Sequence, residues 1–209
     1  MPDGVDLGEF HCGVRAHREG QRRALSIPDD APVVLFVGHN WERKGLDTVV
    51  HALELIRRRQ PHRRPVLIVV GQGGRQAYAD TIRRALDGDV KFLGVQSEMA
   101  PIYGMADVCV LPSAYESFGL PILEAMACGV AVIVSNCAGV AEVIEDGHDG
   151  VLLENPQDVE ELSAKLDLLL HDGDLRRRLG DHAARTAERY SWDVIAETME
   201  GIYRSALAE

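Results

Sequence analysis

The stretch Val33-Val-Leu-Phe-Val37-Gly38, followed after a short polar loop by a helical pattern from Leu46 to Arg59, sets the fold class of this chain. An aliphatic run that stops at a glycine predicts a buried strand. The apolar residues of the second segment are spaced for one face of a helix. Together the two segments predict a strand-loop-helix unit.

The same unit recurs along the chain. The further predicted strands are Val66 to Val70, Val90 to Leu93, Val108 to Leu111 and Val130 to Ser135, and the helices between them lie near Ala77 to Leu86 and Met99 to Ala106. Short aliphatic strands that alternate with helices predict an α/β fold, a doubly wound parallel sheet of the Rossmann-like type. In such a sheet ligands bind beyond the carboxyl ends of the strands, so the loops that follow the strands are the expected binding region.

The C-terminal part of the chain is predicted to be mainly helical. After a short strand, Val151 to Leu153, a helical pattern runs to His171, and Asp158 precedes it as the predicted cap, with Glu161 three residues on. Two further helices are predicted, from Asp174 to Tyr190 and from Trp192 to Leu207, with Ser191 as a cap of the last. The three arginines from Arg176 to Arg178 are interpreted as a solvated helix face. Residues 1–30 carry little periodicity.

Composition narrows the classes of partner. The formal charge of -11 disfavours nucleic acid and anionic membranes, because long-range repulsion opposes such encounters. No apolar run approaches the roughly 20 residues of a membrane-spanning helix, and the first residues lack a signal-peptide pattern, so the expected location is the cytoplasm. Four cysteines without a C-x-x-C pair are interpreted as reduced thiols, and metal binding by His11 and Cys12 is the weaker alternative.

The segment with the clearest chemistry is Pro112-Ser-Ala-Tyr-Glu116-Ser-Phe-Gly-Leu-Pro-Ile-Leu-Glu124-Ala-Met-Ala-Cys-Gly129, which follows a strand and enters a helix. Pro121 suits the first helical turn, and Gly129 suits the position just past the helix end. Free amides at such a helix start favour an anion. With Glu116 before the turn and Glu124 inside the helix, phosphate groups and sugar hydroxyls could both be bound, although a turn cap and a surface helix residue are the structural alternative.

This segment resembles the E-x7-E motif of retaining GT-B glycosyltransferases of group 1 (GT4). Further segments that resemble the family pattern are Val37-Gly38 to Lys44-Gly-Leu-Asp47, Ala106-Asp-Val108 with Leu111-Pro-Ser113, and Gly139-Val-Ala-Glu-Val-Ile144 with Gly147 and Gly150. The resemblance runs from about Pro2 to the C-terminus. It implies the donor-binding, C-terminal half of a GT-B enzyme.

The resemblance also implies roles for particular residues. Lys44 would neutralise the donor diphosphate, Glu116 would contact the transferred sugar, and Glu124 would bind the ribose hydroxyls. Lys44 and Glu116 are therefore the candidate catalytic residues. The backbone amides of Phe118, Gly119 and Leu120 would hold the phosphates and the sugar.

The first loop departs from the usual family pattern. His39 stands directly after Gly38, where many members carry arginine, and Arg43 is the candidate replacement cation. The loop Gly38-His-Asn-Trp-Glu-Arg-Lys-Gly45 resembles that of lipopolysaccharide-core hexosyltransferases, which favours a UDP-hexose donor. Backbone groups near Gly94 and Val95 are the expected contacts for the base.

The implied organisation is an interdomain segment over residues 1–30, a nucleotide-sugar-binding domain over 31–190 and a C-terminal helix over 191–209. The partner of this domain would be the N-terminal, acceptor-binding half, through which any peripheral membrane association would also occur. The family generally works without a metal, so no cofactor is expected besides the nucleotide-sugar substrate.

Two other kinds of function stay open, another GT-B enzyme and a non-catalytic module. The chain could belong to a GT-B epimerase or a pyridoxal-phosphate phosphorylase, although none of its three lysines lies in a motif suited to that cofactor. It could also be a non-catalytic nucleotide-sugar-binding module. The loop Gly71-Gln-Gly-Gly74 invites a dinucleotide-binding interpretation, which is discounted because the loop lacks the full G-x-G-x-x-G spacing. A loop that lines the sugar pocket is the favoured interpretation.

Overall fold

A computed structural model describes residues 2–86 and 88–207. Met1, Asp87, Ala208 and Glu209 lie outside the described residues, and with them the outer ends of the predicted first and last segments. Within the described part, six strands form one parallel sheet in the order β3-β2-β1-β4-β5-β6. The strands are β1 Val33–Val37, β2 Val66–Val70, β3 Val90–Gly94, β4 Val108–Leu111, β5 Ala131–Ser135 and β6 Val151–Leu153.

Helices cover both faces of this sheet. They are α1 Arg18–Ala24, α2 Leu46–Arg59, α3 Arg75–Leu86, α4 Ala100–Met105, α5 Leu120–Ala127, α6 Val159–His171, α7 Gly173–Glu188 and α8 Trp192–Leu207, and short 3-10 helices occupy Cys12–His17 and Gly139–Val143. The predicted doubly wound sheet is confirmed, with helix bounds that differ from the prediction by one or two residues.

The sheet is buried on both sides, which explains its aliphatic strands. In β1, Val33 and Leu35 belong to one apolar cluster, whereas Val34 and Phe36 belong to another on the opposite face. Side chains alternate across a strand, so a run without polar residues is what a sheet with helices on both faces requires. Cys109 and Cys128 lie in this interior, and burial raises the pKa of Cys128 to about 12.

Residues 1–30 contain more structure than their pattern predicted. The 3-10 helix and α1 pack against α4. Arg22 is buried there and donates to the carbonyl of Met105 and to Oδ2 of Asp107, the latter at 2.7 Å. Apolar side chains of this segment, such as Phe10 and Ile27, also enter the core, but the buried residue of α1 is Arg22, so hydrophobic periodicity did not reveal this helix.

Two predicted helix caps of the C-terminal region are confirmed. Asp158 accepts a hydrogen bond from the amide of Glu161 at 3.0 Å, and Ser191 accepts one from Val194 at 3.3 Å. The interpretation of the arginine run was wrong for Arg176, which is half-buried and donates to the carbonyl of Leu169 at 2.6 Å. Across residues 2–86 and 88–207, no helix combines the length and apolar character needed to cross a bilayer.

Candidate functional site

The order of the strands brings two sequence-distant loops together. β1 and β4 are neighbours, with Val34 opposite Val108, although two other strands lie between them in sequence. The chain leaves β1 towards one side of the sheet and β4 towards the other, which makes this pair the topological switch point. The loop after β1 therefore lies beside the loop after β4 at the carboxyl edge.

Gly45 marks the closest approach of these loops. Its φ is +80°, and a Cβ atom added there would lie 2.2 Å from the carbonyl oxygen of Pro112. The backbone of the first loop thus touches the end of β4, which only glycine permits. This contact fixes the position of Lys44, the preceding residue.

Lys44 and Glu116 form a largely buried ion pair across the two loops. Nζ of Lys44 lies 2.8 Å from Oε2 of Glu116, and the two side chains are 10% and 11% exposed. The aliphatic part of Lys44 lies against Gly38, where an added Cβ would be 2.4 Å from Cδ of the lysine. Glycine at the end of β1 therefore makes room for the lysine to reach the switch point.

The geometry of this ion pair leaves the carboxylate incompletely satisfied. Oε2 of Glu116 is buried, and no described residue gives it a hydrogen bond of good geometry despite the close ammonium. The backbone of Glu116 is fixed, because its carbonyl accepts from the amide of Gly139 at 3.1 Å. A buried carboxylate oxygen with spare capacity can accept a hydroxyl donor.

The start of α5 presents unpaired amides next to this pair. Gly119 caps the helix with φ +109°, and Pro121 follows in the first turn. Within the described part of the chain, the amides of Phe118, Gly119 and Leu120 donate to no protein acceptor. Free N–H groups at a helix start form a site of positive potential that suits an anion.

Glu124 lies further along α5 and points to the neighbouring helix. Its Oε2 accepts a 2.6 Å hydrogen bond from the hydroxyl of Tyr103 on α4. Burial raises the pKa of the Glu124 carboxyl, the hydrogen bond from Tyr103 opposes that rise, and Glu9 adds to it. Glu124 is therefore not a simple surface residue of the helix, and Oε1 stays available as an acceptor.

His39 and Arg43 both bind the backbone of neighbouring loops. Nδ1 of His39 accepts from the amide of Gln72 at 3.0 Å, which places the ring proton on Nε2 when the ring is neutral. Nη1 of Arg43 donates to the carbonyl of Tyr115 at 2.8 Å. Arg43 thus links the first loop to the residue next to Glu116 and keeps its positive charge near the switch point.

Gly94 and Val95 lie further away along the same edge. Gly94 ends β3, and its carbonyl accepts from the amide of Gly71 at 2.7 Å. Val95 is 57% exposed, so the backbone around it faces solvent. The glycine loop after β2 lies between, where Gly73 packs under Trp41, an added Cβ being 2.1 Å from that ring.

Tyr103 is the residue of this region that sequence reasoning missed. It is fully buried and touches Phe10 edge-on with ring centroids 5.9 Å apart. Its position in the sequence gave no sign of a polar role, because an aromatic residue in an apolar helix reads as core. The one feature that could have indicated a polar role is its hydroxyl group, because a buried tyrosine hydroxyl needs a hydrogen-bond partner.

Two sizeable cavities lie away from these loops. One of about 550 Å³ lies between Pro32, His62 and Asp89 at the amino ends of β1 and β2. Smaller cavities adjoin the loops of the switch point: one of about 280 Å³ is lined by Arg43, Gly45 and Pro112, and one of about 390 Å³ by Ser117, Phe118 and Gly139. Within the described residues no group of three or more His, Cys, Asp or Glu side chains is placed to hold a metal ion.

Comparison with known proteins identifies relatives of about twice this length. The D-inositol 3-phosphate glycosyltransferase of Corynebacterium urealyticum is 32% identical over 213 residues, covering 97% of this chain and 50% of that protein. The chain spans about half the length of the curated relatives it matches.

Solved structures agree with this relationship. The C-terminal domain of a group 1 glycosyl transferase (LpcC) from Francisella tularensis is 26% identical with a TM-score of 0.78, covering 90% of this chain and 100% of that one. HepE of Anabaena, solved with UDP-glucose, is 25% identical with a TM-score of 0.83, covering 97% and 56%. The predicted fold, that of the C-terminal half of a GT-B glycosyltransferase, is confirmed by these matches.

A profile of the family described as glycosyl transferases group 1 matches residues 17–186. The matched region includes both loops of the switch point and all six strands of the described sheet. Because this match spans well over half of the chain, the protein belongs to the glycosyl transferases group 1 family.

Proposed function

We propose that this chain binds the nucleoside diphosphate sugar of a glycosyltransferase, with UDP-hexose as donor, and that the full-length enzyme transfers the sugar with retention of configuration. The observation that carries the proposal is the Lys44–Glu116 pair, 2.8 Å apart beside the unpaired amides of α5. A cation and amides suit a diphosphate, and a carboxylate with spare capacity suits a sugar hydroxyl.

The chemistry follows from where charge develops. When the glycosidic bond breaks, the departing nucleoside diphosphate gains negative charge at the oxygen that leaves the sugar. Lys44 and the amides of Phe118, Gly119 and Leu120 are fixed before the reaction, so they stabilise this charge without reorganisation. Arg43 adds a second cation at the same edge in place of the arginine that His39 replaces.

Glu124 is the proposed ribose contact. Oε1 has no partner in the described part of the chain, and each carboxylate oxygen can accept more than one hydrogen bond. Tyr103 holds the carboxylate in one orientation before the donor arrives. The base would then extend towards the backbone of Gly94 and Val95.

The acceptor belongs to the rest of the enzyme in this proposal. The switch point lies at the carboxyl edge of the sheet, where a cleft between the two halves would form. The support for UDP is that HepE, which shares this fold, was solved with UDP-glucose. A cytoplasmic location and independence of metal remain parts of the proposal.

Calorimetric titration of this chain with UDP, GDP, ADP and their hexose conjugates, with and without a chelator, tests the proposal. Selective binding of UDP and UDP-hexose that a chelator leaves unchanged is the expected result. Binding of none of them by a chain that is shown to be folded would overturn the donor-binding function. Release of free sugar from the donor without an acceptor would favour the epimerase alternative.

A further inference from the structure

A second group of cations lies at the amino edge of the sheet, opposite the switch point. Arg15 and Arg18 come from the N-terminal segment, and Arg176 comes from α7. Together they line a cavity of about 350 Å³, which we call the arginine pocket. It adjoins Asp107, the residue before β4, so the length of that strand separates it from Glu116.

The buried carboxylate of Asp107 lies next to most of these cations. Oδ1 of Asp107 accepts from Nη2 of Arg18 at 2.6 Å, and Oδ2 accepts from Nη2 of Arg22 at 2.7 Å and from the amide of Val33 at 2.8 Å. Nε of Arg176 lies 3.6 Å from Oδ1, beyond good hydrogen-bond distance. Burial opposes ionisation of Asp107, but Arg18, the Val33 amide and Arg22 outweigh it and lower its pKa.

Arg15 has the weakest set of partners in the pocket. Its Nη1 reaches the carbonyls of Ala106 and Gly129, each at 3.4 Å, which is long for a charged donor. In the described part of the chain it forms no ion pair within 4.0 Å. Burial and the adjacent Arg18 lower the pKa of Arg15, although a guanidinium stays charged at neutral pH.

The pocket therefore carries an excess of positive charge. Arg177 also lines it but is paired with Asp174. The other carboxylate of the lining is Asp181, which is exposed. Three guanidinium groups, those of Arg15, Arg18 and Arg176, thus face the two lining carboxylates in a chain whose overall charge is -11.

We propose that the arginine pocket binds a soluble phosphate-bearing anion, either inorganic phosphate or a small phosphate monoester. A phosphate group carries roughly 1.5 to 2 negative charges at neutral pH, so a pocket with more cations than carboxylates attracts it. Guanidinium groups bind phosphate oxygens through paired N–H donors. Since a water occupies about 30 Å³ of liquid, a cavity of about 350 Å³ has room for a phosphate with an organic group attached.

Such an anion would join two parts of the chain that the described contacts hold only loosely here. Arg15 and Arg18 lie in the segment that precedes the sheet, whereas Arg176 lies in the first turns of α7. A phosphate between them would fasten residues 12–24 to α7. The pocket is distinct from the proposed donor site, because Lys44 lies at the opposite edge of the sheet.

Cys12 provides a local readout of occupancy, because this exposed residue lines the pocket with its thiol partly buried near the carbonyl of Ala127. In a Cys137→Ser background, Cys12 is the one exposed thiol among the described residues, since Cys109 and Cys128 are buried. The rate of its alkylation by iodoacetamide is measured against sodium phosphate at constant ionic strength. We expect a saturable, several-fold slowing, together with a rise of a few degrees in Tm. An alkylation rate that phosphate leaves unchanged would overturn the proposal.

Matched variants separate this pocket from general salt effects. Arg15→Gln and Arg176→Gln should each lose the protection of Cys12, whereas Arg204→Gln, on the exposed surface of α8, should retain it. Lys44→Ala should also retain it, which distinguishes the pocket from phosphate bound at the donor site. Full protection in Arg15→Gln would show that the effect is not local and would contradict the proposal. Glycerol phosphate, compared with inorganic phosphate, tells which kind of anion the pocket prefers.

Discussion

The hydroxyl of Tyr103 donates a 2.6 Å hydrogen bond to Oε2 of Glu124, joining α4 to α5 in the interior. Tyr103 is fully buried. Its burial, and to a smaller extent the negative charge of Glu124, raise the pKa of its hydroxyl well above the ordinary value. The hydroxyl therefore remains a hydrogen-bond donor at neutral pH. One contact thereby fixes the direction of a carboxylate that we propose as a donor ligand. Its consequences can be measured.

Tyr103→Phe should weaken UDP binding and destabilise the fold. The substitution keeps the ring but leaves Oε2 of Glu124 half-buried without its donor, a loss of about 1–3 kcal/mol. Chemical denaturation gives the free energy of unfolding, and calorimetry gives the affinity. Tyr203→Phe, which removes an exposed hydroxyl on α8, serves as the control and should change neither quantity. Equal effects of the two substitutions would contradict a role for the Tyr103 hydroxyl.

The raised pKa of Glu124 predicts a pH dependence of stability. Because the folded state holds this proton more tightly than the unfolded state, the contribution is largest below the ordinary value of 4.5 and declines as pH rises through the folded pKa. Glu124→Gln keeps an acceptor for Tyr103 and removes the titration. We therefore expect a smaller loss of unfolding free energy from about pH 4 to about pH 7 in this variant.

The matched control for that experiment is Glu200→Gln, which changes an exposed carboxylate on α8. Its pH profile should follow that of the parent chain. If Glu124→Gln also followed the parent profile, burial of Glu124 would not be the cause of the dependence.

Lys44→Ala should lower the affinity for UDP by about 1–3 kcal/mol, since a charge-assisted contact to the diphosphate is lost. Arg58→Ala removes a cation that is 73% exposed on α2, and it should leave the affinity unchanged. Titration calorimetry checks both.

In the full-length enzyme, Glu116→Gln should mainly lower the rate of sugar transfer, and an unchanged rate would refute the sugar contact.

Gly45→Ala should destabilise the chain by about 1–3 kcal/mol, because it combines an unfavourable positive φ with a clash against Pro112. It should also weaken UDP binding, since Lys44 follows the movement of the loop. Gly201→Ala is the control, because it lies in α8 with open space around it and should stabilise by about 0.5–1 kcal/mol. Thermal denaturation of the two variants should shift Tm in opposite directions.

The local sequence pattern was sufficient to predict most of the helices and strands. Aliphatic runs such as Val33–Val37 predicted strands buried on both faces, and the caps at Asp158 and Ser191 were correct. These features depend on residues close in sequence, where side-chain period and capping chemistry leave few alternatives. The helix over residues 18–24 was missed, because it is held through Arg22 and Asp107, which lie 85 positions apart.

The sequence by itself determined the class of the sheet, the edge where ligands bind and the residue types available there, including Lys44, Glu116 and Glu124. Only the tertiary structure decided that β1 lies beside β4, and hence that Lys44 meets Glu116 across 72 positions. The same holds for the bond from Tyr103 to Glu124 and for the arginines around Asp107. Strand order and helix packing follow from the summed burial of the whole core, and no local period encodes which distant side chains will then face each other.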